Sequence, residues 1–197
     1  MFNGIIFNRG KVYKIQKRKK GINLFLKSKI KLSKKDLGIS ISCDGVCLTL
    51  ISYKKNIIEF YLSNETLKKS KFKNININDE INLELPLKYG RNISGHICQG
   101  HVDTVGKVTN IKKIDKSKVI EFKILGIFKK YLVQKGSILI NGVSLTISKI
   151  NKNTFEIWTV PHTLKLTNLF NIKKNELVNI EIDILAKYVK KFIHDKK

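Results

Sequence analysis

The chain has 197 residues, a formal net charge of +24 and 42% hydrophobic residues. This length is sufficient for two domains of just under 100 residues, and no apolar run approaches the roughly 18 residues of a membrane span. The three cysteines are an odd number without framework spacing, which indicates reduced thiols. With no signal-peptide pattern at the start, the sequence predicts a cytoplasmic protein without a membrane partner.

The positive charge is carried by lysines that are spread along the whole chain. Arg9, Arg18 and Arg91 are the only arginines among 39 basic residues, although the planar guanidinium is the better phosphate and base reader. Lysine, isoleucine and asparagine all have AT-rich codons, so genome composition explains the charge. We therefore predict solvated lysines and no specific nucleic-acid partner.

The hydrophobic pattern of the first half predicts short strands separated by turns. From Ile22 to Leu32 apolar residues fall at alternate positions, which is typical of a half-buried strand. The predicted elements, in chain order, are an apolar segment at 4–13, a hairpin tip at 17–21, strands at 22–32, 40–51 (interrupted at 44–45), 57–62 and 80–85, a helical turn at 64–67 and a linker at 86–90.

The second half repeats this order of elements. Strands are predicted at 102–111, 119–125, 137–150, 155–160 and 178–184, with a short helix at 127–133 and a turn at 161–164. After Asp183 the apolar residues Leu185, Val189, Phe192 and Ile193 follow helical spacing, which predicts an amphipathic C-terminal helix. A closed barrel core has no room for this helix, so we expect it to form an oligomer contact.

An internal repeat underlies this order. Asp44-Gly45-Val46-Cys47-Leu48-Thr49 returns 97 residues later as Asn141-Gly142-Val143-Ser144-Leu145-Thr146, and Asn82-Leu83-Glu84 returns as Asn179-Ile180-Glu181. Nine of the 24 positions from Asp44 to Leu67 match their partners, against about one or two for unrelated segments. We predict an all-β fold of two tandem six-stranded antiparallel barrels, at 1–90 and 91–184, and a C-terminal α-helix at 185–197.

Small polar residues recur at equivalent places in the two halves. Strand alternation places Cys47 and Thr49, and in the repeat Ser144 and Thr146, on the face opposite the apolar residues. This pattern also fits ordinary solvent-facing strand residues. Its recurrence favours two copies of one polar surface, as expected of a protein that binds two molecules of the same ligand.

Two residues distinguish the second half chemically. His101 stands where the first half has Ile5, and histidine is the side chain best suited to acid–base chemistry near neutral pH. Asp183 corresponds to Pro86. His96, Cys98 and His101 cannot share one strand face and no second cluster completes four ligands, so we predict no metal.

Together, these motifs closely resemble the riboflavin synthase alpha chain family over essentially the whole chain. The resemblance rests on Met1-Phe2-Asn3-Gly4-Ile5-Ile6, the repeated Gly-Val-Cys/Ser-Leu-Thr strand, Gly95-His96, Gln99-Gly100-His101-Val102, Lys135-Gly136-Ser137-Ile138, Pro161-His162-Thr163-Leu164 and Val178-Asn179-Ile180-Glu181-Ile182-Asp183. Asn3 departs from the family, which usually has Thr there.

The resemblance implies Greek-key barrels, a homotrimer held by C-terminal helices, and active sites between the N-terminal barrel of one copy and the C-terminal barrel of another. It implies a dismutation of two 6,7-dimethyl-8-ribityllumazine molecules into riboflavin and 5-amino-6-(D-ribitylamino)uracil, without metal or cofactor. A lumazine synthase is a possible further partner.

By the same resemblance, we expect His101 and Ser144, supported by Asp183, to carry out the proton transfers and the activation of one lumazine. The residues expected to bind lumazine are Gly4, Ile5, Ile6, Ser40, Cys47, Leu48, Thr49, Tyr61, Leu62, Ser63, Asn64, Glu65, Thr66, Gly100, His101, Val102, Lys135, Ser144, Leu145, Thr146, Trp158, Thr159, Val160, Pro161, His162, Thr163 and Asp183.

Two alternatives remain at this point. Lumazine-carrying antenna proteins resemble the same double barrel without turning the ligand over, and release of riboflavin would distinguish them. A basic barrel of the OB type could instead bind RNA. That reading predicts aromatic residues stacked along an exposed sheet, whereas the aromatic residues here are scattered.

Overall fold

The computed structural model describes residues 1–194, which form two closed six-stranded barrels followed by a helix. The first barrel comprises β1 (Asn8–Arg18), β2 (Gly21–Ser28), β3 (Ser40–Cys43), β4 (Val46–Lys54), β5 (Ile57–Ser63) and β6 (Glu80–Glu84), with α1 (Asn64–Lys69) after β5. The second comprises β7 (Thr104–Ile114), β8 (Ser117–Lys123), β9 (Ser137–Ile140), β10 (Val143–Ile150), β11 (Thr154–Thr159) and β12 (Leu177–Ile182), with α2 (Pro161–Leu166) after β11 and α3 (Ile184–His194) at the end.

The two barrels share one topology. Barrel 1 has the neighbour order β1-β2-β5-β4-β3-β6 and closes through β6 and β1, and barrel 2 has β7-β8-β11-β10-β9-β12 and closes through β12 and β7. All the pairings are antiparallel. The predicted all-β double barrel with a C-terminal helix is confirmed.

Strand alternation builds a separate core inside each barrel. Val46, Leu48 and Leu50 of β4 are buried, and so are the corresponding residues Val143, Leu145 and Ile147 of β10. Each fully buried side chain of this size contributes about 1.5–3 kcal/mol. The residues between them, Cys47, Thr49, Ser144 and Thr146, are half-buried or exposed on the outer face, as the period of two predicts.

Tight turns join β3 to β4 and β9 to β10, and these turns meet between the barrels. Asp44 and Gly45 have φ of 46° and 80°, and Asn141 and Gly142 have 46° and 76°, the left-handed values of a two-residue hairpin turn. A Cβ on Gly45 would lie 3.0 Å from the Gly142 nitrogen, and one on Gly142 would lie 2.8 Å from the Gly45 nitrogen. Glycine therefore allows the two turns to approach each other.

Asparagine side chains join the barrels around these turns in matching pairs. The Asn82 amide donates to the Asn141 carbonyl at 2.9 Å, and the Asn179 amide donates to the Asp44 carbonyl at 2.9 Å. The two sides of the interface differ at one position, where Lys71 forms a 2.6 Å ion pair with the fully buried Asp44. The interface therefore has near-twofold symmetry with one charged side.

Several predicted strands have other bounds in the structure. The predicted strands 40–51 and 137–150 are each divided into two, β3 with β4 and β9 with β10, and two further strands end early. The predicted second strand extends to Leu32, but β2 ends at Ser28. The Ser28 hydroxyl accepts the Ile30 amide and donates to the Arg9 carbonyl, and these bonds turn the chain out of the sheet. The predicted last strand extends to Ile184, but β12 ends at Ile182 and α3 begins at Ile184. The predicted short helix at 127–133 is a 3-10 helix over Gly126–Tyr131.

Helix α3 leaves its apolar residues uncovered. The side chains of Leu185, Val189, Phe192 and Ile193 are all more than half exposed. Residues 195–197 of the predicted helix lie outside the described residues. Within residues 1–194, no helix combines the length and the apolar character needed to cross a membrane.

Candidate active site

The polar outer faces of β4 and β10 form two equivalent open surfaces. On barrel 1, Ser40 of β3 pairs with Thr49 of β4, and Cys47 lies two residues before Thr49. On barrel 2, Thr146 and Ser144 of β10 occupy the matching places. Thr49 and Thr146 are exposed. The backbone thus presents each predicted polar pair to the surface, while Leu48 and Leu145 are in the cores.

Two short segments of the chain lie between the barrels and are paired with each other. Phe2 and Cys98 exchange both backbone hydrogen bonds, at 2.8 Å and 3.1 Å. Beyond this pair, Ile6 packs in the core of barrel 2 and Val102 packs against the core of barrel 1. The segment that leads into each barrel therefore contacts the opposite barrel.

Each segment touches the polar face through a glycine. The Gly4 carbonyl accepts the Ser144 amide at 2.8 Å, and the Gly100 carbonyl accepts the Cys47 amide at 2.8 Å. Both glycines have left-handed φ, and a Cβ would lie 2.6 Å from the Ser144 Cβ or 2.7 Å from the Cys47 Cβ. Only glycine allows this approach.

Barrel 2 carries a hydroxyl–imidazole pair that barrel 1 lacks. The Ser144 Oγ lies 2.7 Å from the His96 Nδ1. His96 is only 9% exposed, and its Nε2 has no partner among residues 1–194. Burial lowers the pKa of His96, and the charge of Asp183 opposes this by raising it. A neutral imidazole is therefore available to accept the Ser144 proton.

Asp183 is placed by the start of the C-terminal helix. Its Oδ1 accepts the Leu185 amide at 3.0 Å and its carbonyl accepts the Ala186 amide at 3.0 Å. These bonds satisfy amides that the first turn of α3 leaves free. The same side chain thus caps the helix, and its charge partly offsets the lowering of the His96 pKa by burial.

The predicted proton-transfer residue His101 lies elsewhere on this chain. Its side chain is exposed, and its segment borders Cys47 on barrel 1. The structure therefore pairs Ser144 with His96 on barrel 2, where the charge of Asp183 acts on His96, and leaves His101 with the face of barrel 1. Sequence reasoning noted His96 only as a possible metal ligand and did not pair it with Ser144.

The remaining predicted binding residues border the two faces. Tyr61, 41% exposed, lies on β5 and donates its hydroxyl to the Lys20 carbonyl, and Trp158 is 50% exposed on β11. The Ser63 hydroxyl caps α1 by accepting the Thr66 amide at 3.1 Å. In the other predicted residues, Leu62 and Thr159 are buried, Ile5, Thr163 and Val102 are half-buried, and Asn64, Glu65, Lys135, Val160, Pro161 and His162 are exposed.

Asn3, the departure from the family pattern, has a structural role. Its side-chain oxygen accepts the Gly95 amide at 2.9 Å, and its amide group donates to the Asn92 carbonyl at 3.3 Å. These bonds hold the segment that carries His96 against the N-terminal segment. A Thr side chain has one hydroxyl and no amide donor, so it would make fewer of these contacts.

Two glutamates that sequence reasoning did not assign to the site hold the bridging segments. Glu84 of β6 accepts the amides of Asn3 and Gly4, and Glu181 of β12 accepts those of Gln99 and His101. The repeat of Asn-x-Glu in the two last strands was the available signal. Alternation places both glutamates outside the cores, yet they are 8% and 2% exposed.

One groove of the structure lies away from the two polar faces. A groove of about 530 Å³ runs between the β1–β2 side of barrel 1 and α2. It contains Phe7, Arg9 and Lys165 but none of the predicted binding residues. Among residues 1–194, no three His, Cys, Asp or Glu side chains are grouped as metal ligands would be. The recurrent polar pairs and the Ser144–His96 contact make the two outer faces the candidate site.

Comparison with known proteins matches the duplicated architecture. The family model described as "Lumazine binding domain" matches twice, at residues 3–86 and 99–183. The structure of LumP complexed with riboflavin superposes with a TM-score of 0.83 at 23% identity and covers 92% of this chain and 99% of that one. LumP complexed with 6,7-dimethyl-8-(1'-D-ribityl) lumazine gives 0.80 at 24%, over 92% and 98%. These likenesses show the fold.

Curated relatives share more of the sequence. Riboflavin synthase of Photobacterium leiognathi is 37% identical over 98% of this chain and 89% of its own length. Riboflavin synthase of Actinobacillus pleuropneumoniae is 34% identical over 100% and 91%, and that of Bacillus subtilis is 32% identical over 98% and 90%. The duplicated lumazine-binding domain and the full-length similarity together show that the chain belongs to the riboflavin synthase family.

Proposed function

We propose that this chain is a riboflavin synthase, a transferase that converts two molecules of 6,7-dimethyl-8-ribityllumazine into riboflavin and 5-amino-6-(D-ribitylamino)uracil. One lumazine gives a four-carbon unit to the other. Because donor and acceptor are the same compound, the exchange balances without an added oxidant or reductant. The observation that carries the proposal is the Ser144–His96 hydrogen bond, on one of two otherwise equivalent polar faces.

Each polar face is suited to one flat heterocycle. The amides and hydroxyls of β4 or β10 can pair with the pyrimidinedione edge, and Gly4 and Gly100 bring the backbone of the bridging segments close to these strands. Tyr61 and Trp158 stand at equivalent borders of the two faces and can contact the ring. Holding the two lumazines against each other would supply much of the acceleration.

The Ser144–His96 pair provides a route for proton transfer. Neutral His96 accepts the Ser144 proton at Nδ1, which prepares the serine oxygen to add to a lumazine or to remove a proton from its 7-methyl group. The negative charge of Asp183 favours the protonated imidazole that results. The absence of a matching pair beside Cys47 supports the proposal that this activation takes place on barrel 2.

The site would be completed by a second copy of the chain. His101 and Cys47 lie with the face of barrel 1, whereas Ser144 lies with that of barrel 2, and both faces are open in the single chain. We propose a homotrimer in which barrel 1 of one copy faces barrel 2 of the next, so that His101 acts with the Ser144 of its neighbour. The exposed apolar residues of α3 would hold the trimer.

We propose that the protein acts in the cytoplasm. The three cysteines are unpaired thiols, as expected of the reducing cytoplasm. A lumazine synthase would supply the substrate and is the proposed functional partner.

Incubation of the purified chain with 6,7-dimethyl-8-ribityllumazine alone tests the proposal. We expect one riboflavin for every two lumazines consumed, followed by absorbance and confirmed by chromatography. The His96→Gln variant serves as the matched comparison, because it keeps an amide near Ser144 but removes the imidazole. Binding of lumazine without riboflavin would contradict the proposal and identify a lumazine carrier of the LumP kind.

A further inference from the structure

Two buried glutamates, each on the last strand of a barrel, hold the two bridging segments that contact the polar faces. The Oε1 and Oε2 of Glu84 accept the amides of Asn3 and Gly4 at 2.7 Å and 3.0 Å. The Oε1 and Oε2 of Glu181 accept those of Gln99 and His101, both at 2.7 Å. In both cases each carboxylate oxygen binds a different backbone amide.

The carbonyls of the same segments reach the opposite barrel. Glu84 belongs to barrel 1, yet the Gly4 that it binds gives its carbonyl to the Ser144 amide of barrel 2. Glu181 belongs to barrel 2, and the Gly100 between its two amide donors gives its carbonyl to the Cys47 amide of barrel 1. A chain of two hydrogen-bond steps thus joins each glutamate to the face of the other barrel.

The two amide donors at each glutamate require a carboxylate as their acceptor. A carboxylate has two acceptor oxygens, whereas glutamine has one and would direct an NH₂ group at the second amide. Both glutamates are almost fully buried, so an unsatisfied amide there would have no water as a substitute partner. Lys187, whose charge acts on Glu181, pairs with Asp103 at 2.6 Å and does not replace the amides there.

We propose that Glu84 and Glu181 are reciprocal positioning residues, each of which holds in shape the lumazine-binding face of the opposite barrel. Glu84 sets the position of Ser144, and Glu181 sets that of Cys47. The duplicated barrels are thereby coupled, because loosening the last strand of one barrel disturbs the ligand face of the other. The consequence for lumazine rests on the proposed function, but the coupling itself does not.

The test is amide hydrogen exchange of the full chain without ligand, resolved at Ser144 and Cys47. Glu84→Gln and Glu181→Gln are compared with Glu80→Gln, a control at an exposed glutamate on the same strand as Glu84. We expect Glu84→Gln to speed exchange at Ser144 by about tenfold relative to Cys47, and Glu181→Gln to produce the reverse. Glu80→Gln should leave the ratio unchanged.

Faster exchange confined to the barrel that carries the substitution, or equal changes at both amides, would overturn the proposal. If a glutamine variant does not fold, Glu84→Asp and Glu181→Asp provide the same test, because they keep the charge and withdraw it by one methylene. Since exchange is read without lumazine, a reciprocal pattern in a protein that makes no riboflavin would support the coupling and refute only the enzyme.

Discussion

Barrel 1 and barrel 2 have the same strand order and the same turns but differ in the chemistry of one matched position. Cys47 and Ser144 both give their amide to a glycine carbonyl of a bridging segment. Only Ser144 has an imidazole within hydrogen-bonding distance. Under the proposed function, duplication supplied two binding faces, and the Ser144–His96 pair distinguishes one of them chemically.

The barrels also differ where they meet. Asp44 and Lys71 form a buried ion pair in barrel 1, whereas the corresponding residues of barrel 2 are Asn141 and Asn168. Burial raises the pKa of Asp44, and the Lys71 charge counteracts this rise. One side of the interface is therefore charged and the other neutral, although the hydrogen bonds around them correspond.

The largest expected effect separates the two faces. Ser144→Ala should lower kcat by roughly 10²–10⁴-fold, since it removes the group that exchanges a proton with His96. Cys47→Ala, the same change on barrel 1, should lower kcat far less, because no base contacts Cys47. Steady-state rates of riboflavin formation measure both.

Ser148→Ala controls for the loss of a hydroxyl from the same strand, because the Ser148 Oγ donates to the Glu156 carbonyl instead. Similar losses of kcat at Ser144 and Cys47 would show that the two faces contribute equally to the chemistry. That result would contradict the assignment of activation to barrel 2.

The ion pair at the interface gives the next largest effect. Asp44→Asn leaves Lys71 without its counter-charge at a site where the lysine side chain is 14% exposed, and removing one partner of a buried pair costs about 3–5 kcal/mol. The double variant Asp44→Asn with Lys71→Asn reproduces the residues of barrel 2. Its free energy of unfolding should return to within about 1 kcal/mol of the original.

Denaturant unfolding of the single and double variants checks this prediction. If the double variant is as unstable as Asp44→Asn alone, barrel 1 needs a charge that barrel 2 does not. The near-symmetry of the interface would then be only apparent.

The pH dependence of stability sharpens the comparison of the two glutamates. Burial raises the pKa of Glu84 from 4.5 to about 7 against the opposing effect of the Asn3 and Gly4 amides. A raised pKa contributes stability that is fully present below pH 4.5 and is lost as the pH rises through about 7. The stability advantage over Glu84→Gln should therefore shrink by about 3 kcal/mol over this range.

Urea titrations of both proteins at several pH values between 4 and 8 measure that difference. Subtracting the two curves cancels the contribution of Glu181, whose pKa burial also raises. A constant difference across the range would mean that the pKa of Glu84 is the same in the folded and the unfolded protein.

The smallest expected effects concern ligand affinity. Thr49→Ala and Thr146→Ala each remove one exposed hydroxyl from a matched position on the two faces. Loss of one hydrogen bond should weaken lumazine binding at that face by up to about tenfold. Titration calorimetry with lumazine should show one weakened and one unchanged site in each variant, and an unchanged pair of sites would remove the threonines from the binding faces.

Much of the fold was predictable, because the repeat and the alternation of apolar residues are local features. The interruption at Asp44-Gly45 and the outward position of Cys47, Thr49, Ser144 and Thr146 follow from them directly. The matching turn at Asn141-Gly142 was missed, because the apolar pattern of residues 137–150 predicts one continuous strand. The crossing of Ile6 and Val102 into opposite cores was not predictable, because periodicity carries no information about which of two similar cores a segment enters.

The site was predictable only in part, for a similar reason. The spacing of His96 and His101 does not indicate which of the two contacts Ser144. The structure selects His96, through a contact between residues that are 48 positions apart in the sequence. The buried glutamates likewise look like solvent-facing strand residues until the bridging segments are seen to cover them. The roles of His101, Ser144 and Asp183 in turnover stay predictions.

The most direct test of the account is to mix two inactive variants, Ser144→Ala and His101→Gln, after dissociating and reassembling the oligomers. If barrel 1 of one copy faces barrel 2 of another, mixed oligomers contain sites with an intact His101 from one variant and an intact Ser144 from the other. The account predicts that riboflavin formation reappears on mixing. A mixture no more active than its separate components would contradict a site shared between copies.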